Sequence, residues 1–409
     1  MAFLFIYNLW YYMKKIIIKL LPILILLCLS STNISISADN HQINTNQEYD
    51  FVYDYYNYSE MTDLLVQTKE KYPNIMNFSS IGISYEGRDI WVVKISDNVE
   101  LNEDEPGVLL IGSLHGDEKP PFESLIYFIK HICEYSVKEN TDDDNDGLIN
   151  EDPIDGVDND NDDKIDEDPS EERVKNIIDN TEIFIIPMAN PDGVEYISGQ
   201  YNGWRKNRNP KTGQTNIIGV DLNRNFGFKW ILYNIFPFKY RNFWTSYPDS
   251  WNYRGEEPFS EIESTSIRNF VESEDIKVSL SYHSYGEIIM YPWTHTSQKT
   301  PDENLFIKIA EGMSKINGYY VYKGRSTLLP WPGGTIGTSE NWLYGIHGIL
   351  SYTMEQCKSK APTNPDVVLD CCIKHVGVNL YICEQAPAIN TKKYGIKSFT
   401  NPLLRSYLN

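Results

Sequence analysis

Cysteine is scarce in this chain and positive charge is short. Six cysteines in 409 residues, at spacings that match no zinc pattern, exclude a cysteine-built metal scaffold. Cys28 falls in the N-terminal segment, which leaves Cys133, Cys357, Cys371, Cys372 and Cys383. An odd number cannot pair completely within one exported molecule, so they are read as structural, with Cys357 the candidate for one disulfide. Thirty-six basic residues stand against fifty-seven acidic ones, for a formal net charge of -21. There is no basic stripe, and nucleic acid is not an expected partner. The apolar run Leu20 to Leu29 is too short for a comfortable membrane span. Lys14, Lys15 and Lys19 precede it and Ser35, Ser37 and Ala38 follow, the layout of a secretory signal over residues 1–38. An uncleaved anchor is the competing reading. Cleavage predicts a secreted or cell-surface protein without a stable membrane span, and leaves only a short stretch before Tyr53, too little for a long activation segment.

The negative charge is not spread evenly. From Asp142 to Glu172 sixteen acids face one lysine, so the rest of the chain is only mildly acidic. Inside this stretch DDDNDGLINEDP at Asp142 to Pro153 is repeated as DNDNDDKIDEDP at Asp158 to Pro169, identical at eight of twelve positions. Asp142, Asp144 and Asp146 before Gly147 match the opening of a calcium loop, where alternate oxygens point inward and glycine permits the bend. Asp158, Asp160 and Asp162 repeat the spacing, but Asp163 takes the place of the glycine. Both copies have proline at position twelve instead of a bidentate glutamate, with Glu151, Asp152, Glu167 and Asp168 as substitutes. The stretch resembles the aspartate-rich calcium repeats of extracellular proteins; the alternative is a solvated acidic loop.

Elsewhere helical and strand periods alternate. Met61 to Tyr72 reads as a helix capped by Ser59 and closed before Pro73, and Tyr85 to Arg88 as a turn into the strand Asp89 to Ser96. An amphipathic helix is expected over Phe122 to Ile132, and a buried strand over Glu182 to Met188 that ends in a turn at Asn190 to Gly193. Strands follow at Val278 to Tyr285, Ile288 to Tyr291 and Ile349 to Met354, with helices at Glu261 to Glu272 and Asn304 to Ile316. This alternation predicts an α/β fold: one domain over residues 39–390, with a mixed, largely parallel central sheet and helices on both faces. The acidic insert at 140–172 interrupts it and a tail at 391–409 follows. Ligands of such sheets bind at the carboxyl ends of strands.

The stretch Leu109 to Glu118, LLIGSLHGDE, is a buried strand that stops abruptly at a histidine, a Gly-Asp pair and a glutamate. Gly116 lets the backbone turn, so His115 and Glu118 can swing toward one point. An imidazole and a carboxylate are two of the three protein ligands a catalytic zinc needs. A capped turn with a surface glutamate is the bland alternative.

Six segments then line up in order: His115-Gly-Asp-Glu118, Asn190-Pro-Asp-Gly193, Trp204-Arg-Lys-Asn-Arg208, Val220-Asp-Leu-Asn-Arg-Asn-Phe226, Ser281-Tyr-His-Ser-Tyr285 and Tyr352-Thr-Met-Glu355. Together they resemble the zinc carboxypeptidases of the A and B type, from about Tyr53 to about Ala386. The resemblance implies one catalytic zinc held by His115, Glu118 and His283, with Glu355 as general base and Arg205 steadying the oxyanion. It also implies that Asn223 and Arg224 grip the free carboxylate of a peptide or protein C-terminus. An ordinary ion pair between Asp221 and Arg224 is the plain alternative at that last position.

The chain departs from the pattern in places. The family's lid tyrosine has no counterpart in Leu328 to Trp342, where Leu329, Pro330 or Gly333 takes the position according to which glycine is aligned. Asp117 stands where the pancreatic enzymes carry an arginine. Glu340 falls near the base of the specificity pocket, where an acid favours substrates ending in Lys or Arg. Two other readings remain open at this stage. One is a zinc amidase or endopeptidase acting on cell-wall peptides, against which Arg224 argues; the other is a non-catalytic calcium-dependent scaffold, against which Glu355 argues.

Overall fold

The computed structural model describes residues 55–137, 171–198, 201–210, 218–230, 244–322 and 335–391. The signal layout at 1–38, the calcium-loop candidates Asp142, Asp144, Asp146, Asp158, Asp160 and Asp162, and the loop positions Leu329, Pro330 and Gly333 lie outside these residues. The first helix, α1, spans Tyr58–Lys71. Its cap is Asn57, not Ser59: the Asn57 side chain accepts from Glu60 N at 3.0 Å while the Glu60 carboxylate accepts from Asn57 N at 2.8 Å. This reciprocal box satisfies two donors the helix cannot.

β1 (Met76–Ile83) and β2 (Asp89–Ile95) pair antiparallel around the expected turn, and β3 (Gly107–Ile111) follows. Next come α2 (Pro120–Tyr135), α3 (Glu171–Ile178) and β4 (Glu182–Ile186). The short helix α4 (Pro191–Glu195) begins where a bare turn is expected, with the Asn190 side chain accepting from Gly193 N. A two-residue hairpin, β5 (Ile197–Ser198) and β6 (Tyr201–Asn202), leads toward α5 (Ile262–Ser273), β7 (Ile276–Ser284) and β8 (Ile288–Met290). Then follow α6 (Glu303–Asn317), β9 (Tyr320–Tyr322), α7 (Ser339–Trp342), β10 (Leu350–Gln356) and α8 (Pro365–Gln385).

Among the described residues eight strands form one mixed sheet in the order β1-β2-β4-β3-β7-β10-β8-β9. Its centre, β4-β3-β7-β10, is parallel throughout. All five residues of β3 and all five of β4 are buried, so neither face of the sheet centre is left to water. α8 packs against both α2 and α6, and α5 lies on β1. Sequence order reverses at β3, with β4 on one side of it and the later β7 on the other. Such a switch point opens a crevice at the strand ends.

Two elements are illegible in the sequence. β1 is an edge strand whose residues are half-buried without alternation, so it lacks the period-two signal. α8 is wedged between two helices and is buried at most positions from Cys371 to Cys383, so the few polar positions Asp366, Asp370 and Lys374 mark its helical period only weakly.

Candidate metal centre

β3 delivers the first two site residues. Beyond Ile111 the chain stays beside β4's exit, with Gly112 N donating to Ile186 O at 2.8 Å and Ala189 N to Gly112 O at 3.0 Å. At Gly116 the turn meets α4 so closely that a Cβ would stand 2.1 Å from the carbonyl carbon of Gly193. Only glycine fits there, and the contact sets the direction of His115 and Glu118. α4 is itself anchored: buried Asp192 accepts from Ser84 Oγ at 2.7 Å, Glu86 N at 2.8 Å and Arg88 Nη1 at 2.7 Å, tying the β1–β2 turn to it. The segment Asn190 to Gly193 therefore serves to hold the turn.

β7 and β10 supply the remaining residues from adjacent parallel strands, in a register that sets His283 opposite Glu355. His283 Nδ1 lies 3.1 Å from His115 Nδ1 and 2.9 Å from Glu118 Oε2, while His115 Nδ1 lies 2.9 Å from Glu118 Oε1. Among the described residues these three side chains, all buried, are one of two groups able to share a metal ion. Two ring nitrogens and a carboxylate about 3 Å apart suit a small cation held at roughly 2 Å from each, and two His with one Glu is a donor set zinc accepts.

The outer faces of the ligands are also occupied. Asp221 Oδ1 meets His115 Nε2 at 2.9 Å, and His283 Nε2 meets Asn223 Nδ2 at 3.1 Å and Ser281 Oγ at 3.3 Å. Such partners fix ring orientation and leave the inner nitrogen free for a metal. Arg205 donates to Asp221 Oδ2 through Nε at 3.1 Å and Nη2 at 2.9 Å, and turns Nη1 toward the cluster, 3.4 Å from Glu118 Oε1.

Burial opposes charge at Glu118, Asp221 and Arg205, yet the charges persist. The Glu118 and Asp221 carboxyls are held well below the usual carboxylate range despite burial, Glu118 by the two histidines and Asp221 chiefly by Arg205. Burial works against the Arg205 guanidinium, but Asp221 and Glu118 hold it charged. Glu355 is different: burial pushes its carboxyl up to about 7, with His283 pulling the other way.

The structure thus gathers His115, Glu118, His283, Arg205 and Asn223 in direct contact, and sets Glu355 across from His283. Asn223 is engaged on both sides of its amide, since its Oδ1 accepts from Ser339 N at 2.9 Å. Arg224 donates from Nη1 to Asn223 O at 2.5 Å, and among the described residues no carboxylate lies within ion-pair distance of it. The alternative Asp221–Arg224 pair does not form, because Asp221 is taken by His115 and Arg205. Asp117 is paired with Lys360, from the segment after β10. Sequence reading missed the part Asp221 plays; its place two residues before Asn223, as the one acid of the run Val220 to Phe226, was the available signal.

Fold and site together define an α/β protein with a buried His-Glu-His group at its strand ends, a donor set compatible with zinc. Residues 61–367 match the family described as zinc carboxypeptidase, and the chain belongs to that family. A zinc carboxypeptidase of Saccharothrix mutabilis subsp. capreolus is 30% identical over 317 residues, which are 75% of this chain and 63% of that protein. Carboxypeptidase B of Astacus astacus is 26% identical over 74% of this chain and 86% of its own length. The mast cell carboxypeptidase A of Homo sapiens is 26% identical, and the match spans 60% of it. The match thus spans less than two thirds of the length of two of these three relatives. A crystal structure of carboxypeptidase A from Helicoverpa armigera shares the fold, with a TM-score of 0.62 and 23% identity over 82% of this chain and 75% of that one.

Proposed function

We propose that the chain is a zinc-dependent carboxypeptidase that works outside the cytoplasm and removes the C-terminal residue of peptides or proteins. The observation that carries this reading is Arg224: a guanidinium without a carboxylate partner among the described residues, one residue from the amide that holds His283. A fork of that kind suits a free carboxylate, whereas an endopeptidase has no use for it. The names of the relatives, carboxypeptidases of A and B type, agree with it.

His115, Glu118 and His283 are the residues to hold the ion. Zinc bound there supplies the Lewis acidity that makes a water nucleophilic near neutral pH. Glu355, its pKa raised by burial, takes the proton of the attacking water and hands it to the leaving amine. Arg205, held in place by Asp221, presents Nη1 to the oxygen that gains charge as the carbonyl becomes tetrahedral. Glu340 is the candidate for side-chain preference: it is buried, its Oε1 accepts from Thr294 Oγ1 at 2.9 Å, and its Oε2 has no partner among the described residues. That reading predicts faster release of C-terminal Lys and Arg than of Phe. Asp142, Asp144, Asp146, Asp158, Asp160 and Asp162 are proposed as calcium ligands of the insert, on the strength of the repeat alone.

The test uses matched peptides with a free or an amidated C-terminus. Release of the terminal residue only from the free peptides, abolished by a chelator and restored by zinc, is the expected result. Equal cutting of amidated peptides sinks the exopeptidase reading.

A further inference from the structure

All five cysteines of the described residues are buried thiols. Two of them meet: Cys357 Sγ and Cys371 Sγ stand 2.8 Å apart, though they come from different elements. Cys357 is the first residue after β10, two beyond Glu355, and Cys371 lies in the second turn of α8. Cys357 is held by its backbone, with N donating to Tyr319 Oη at 3.2 Å and O accepting from Gly286 N at 2.9 Å. Cys371 Sγ has His375 Nδ1 at 3.8 Å and Tyr319 Oη at 4.0 Å. Both cysteines line a surface cavity of about 410 Å³ with Tyr319, Asp370 and Lys374, so a small reagent has a way in.

The segment between them bears on the metal turn. Lys360 O accepts from Lys119 N at 2.9 Å and from Ser284 Oγ at 3.2 Å, and its ammonium pairs with Asp117. These partners are the immediate neighbours of Glu118 and His283. Pro362 O accepts from Tyr55 Oη at 2.6 Å.

We propose that Cys357 and Cys371 form a redox pair whose disulfide closes the segment 358–370 and clamps it against the metal-ligand turn. The consequence for the metal rests on the zinc site proposed above; the crosslink itself does not. The Cys371 thiolate attacks one sulfur of an external disulfide, a small-molecule one or that of a thiol oxidoreductase, and expels the other sulfur as thiolate. Cys357 then loses its proton to the released thiolate and attacks Cys371 Sγ, displacing the second external thiol. Two protein thiols are oxidised, one external disulfide is reduced, and both protons leave on the external thiols. Hydrogen bonding from Cys357, against burial and with help from His375, pulls the Cys371 thiol down to about 5, which suits it to the first attack.

The test starts from the full chain, zinc-loaded and purified reduced, then exposed to oxidised glutathione. Peptide mapping after alkylation is expected to show one link, Cys357 to Cys371, with Cys133, Cys372 and Cys383 alkylated. Closing a loop of this size raises Tm by about 4 °C, reversed by a phosphine reductant, and slows zinc loss to a chelator severalfold. In Cys357→Ser, Cys371 is expected to carry a glutathione adduct instead, and neither Tm nor zinc loss should respond. A different pairing, adducts without an internal link in the wild type, or a link that leaves Tm and zinc loss unchanged overturns the proposal. Mapping needs no turnover, so a link formed in a chain without peptidase activity counts against the hydrolase reading only.

Discussion

At the scale of single residues the proposed mechanism separates the side chains that would bind the ion from the one that would use it. Glu355 opposes His283 across two strands but is not one of the three side chains that converge. Glu355→Gln is therefore expected to keep zinc and lower kcat by about 100- to 10,000-fold, whereas His115→Ala loses both metal and turnover; metal analysis beside a kinetic assay distinguishes the two. Comparable turnover of Glu355→Gln and wild type contradicts the assignment. A base must be ionised to act, so kcat/KM falls as pH drops through its pKa. Burial, opposed by His283, puts the Glu355 carboxyl at about 7, and a dication beside it favours the charged form, which moves the acid limb below that value. A limb centred above 7 in the zinc-loaded protein counts against Glu355 as its source. Asp221 belongs at this scale too, because one carboxylate orients both His115 and Arg205.

At the scale of elements, the metal turn is held by contact between β3's exit and the short helix α4. The gap at Gly116 is too small for any Cβ. Gly116→Ala must push α4 away or rotate the turn, and a shift of a few tenths of an ångström is felt by two ligands at once. The expected outcome is at least a tenfold weaker zinc affinity with the far-ultraviolet circular dichroism preserved; unchanged affinity means that the α4 contact does not position the turn. The strands are more forgiving. β7 and β10 set His283 and Glu355 side by side through seven successive paired positions, and parallel pairing leaves their register little freedom once both faces are buried.

At the scale of the whole molecule, stability should depend on pH through buried carboxyls outside the His-Glu-His group. Burial pushes Glu123, at the start of α2, up to about 8, and Glu263, in α5, likewise to about 8. A carboxyl raised above its unfolded value favours the fold while it is protonated, so its contribution is complete below about 4.5 and is lost as pH rises toward 8. Glu123→Gln is accordingly expected to show a smaller fall in Tm between pH 6 and pH 8 than the wild type; an unchanged fall removes Glu123 as a cause. Much of this molecule was legible beforehand. Alternating periods announce the α/β sheet, and His115 and Glu118 stand out locally because a strand that ends in a turn exposes the residue types set there, whereas His283 enters the ligand set only through the resemblance of six ordered segments to the zinc carboxypeptidases. What stayed hidden depends on partners far away in sequence. Asn57 outcompetes Ser59 as a cap because Glu60 returns its bond, and α8 shows only a weak amphipathic period because two helices bury most of it. Asp221 looks like a surface acid until His115 and Arg205, 106 and 16 residues distant, fold onto it. The amino-acid order by itself determined the layers and the kinds of donor available. Only the packed structure decided which donors meet, since convergence within 3 Å depends on strand register and close backbone contact, neither of which is written in a local pattern.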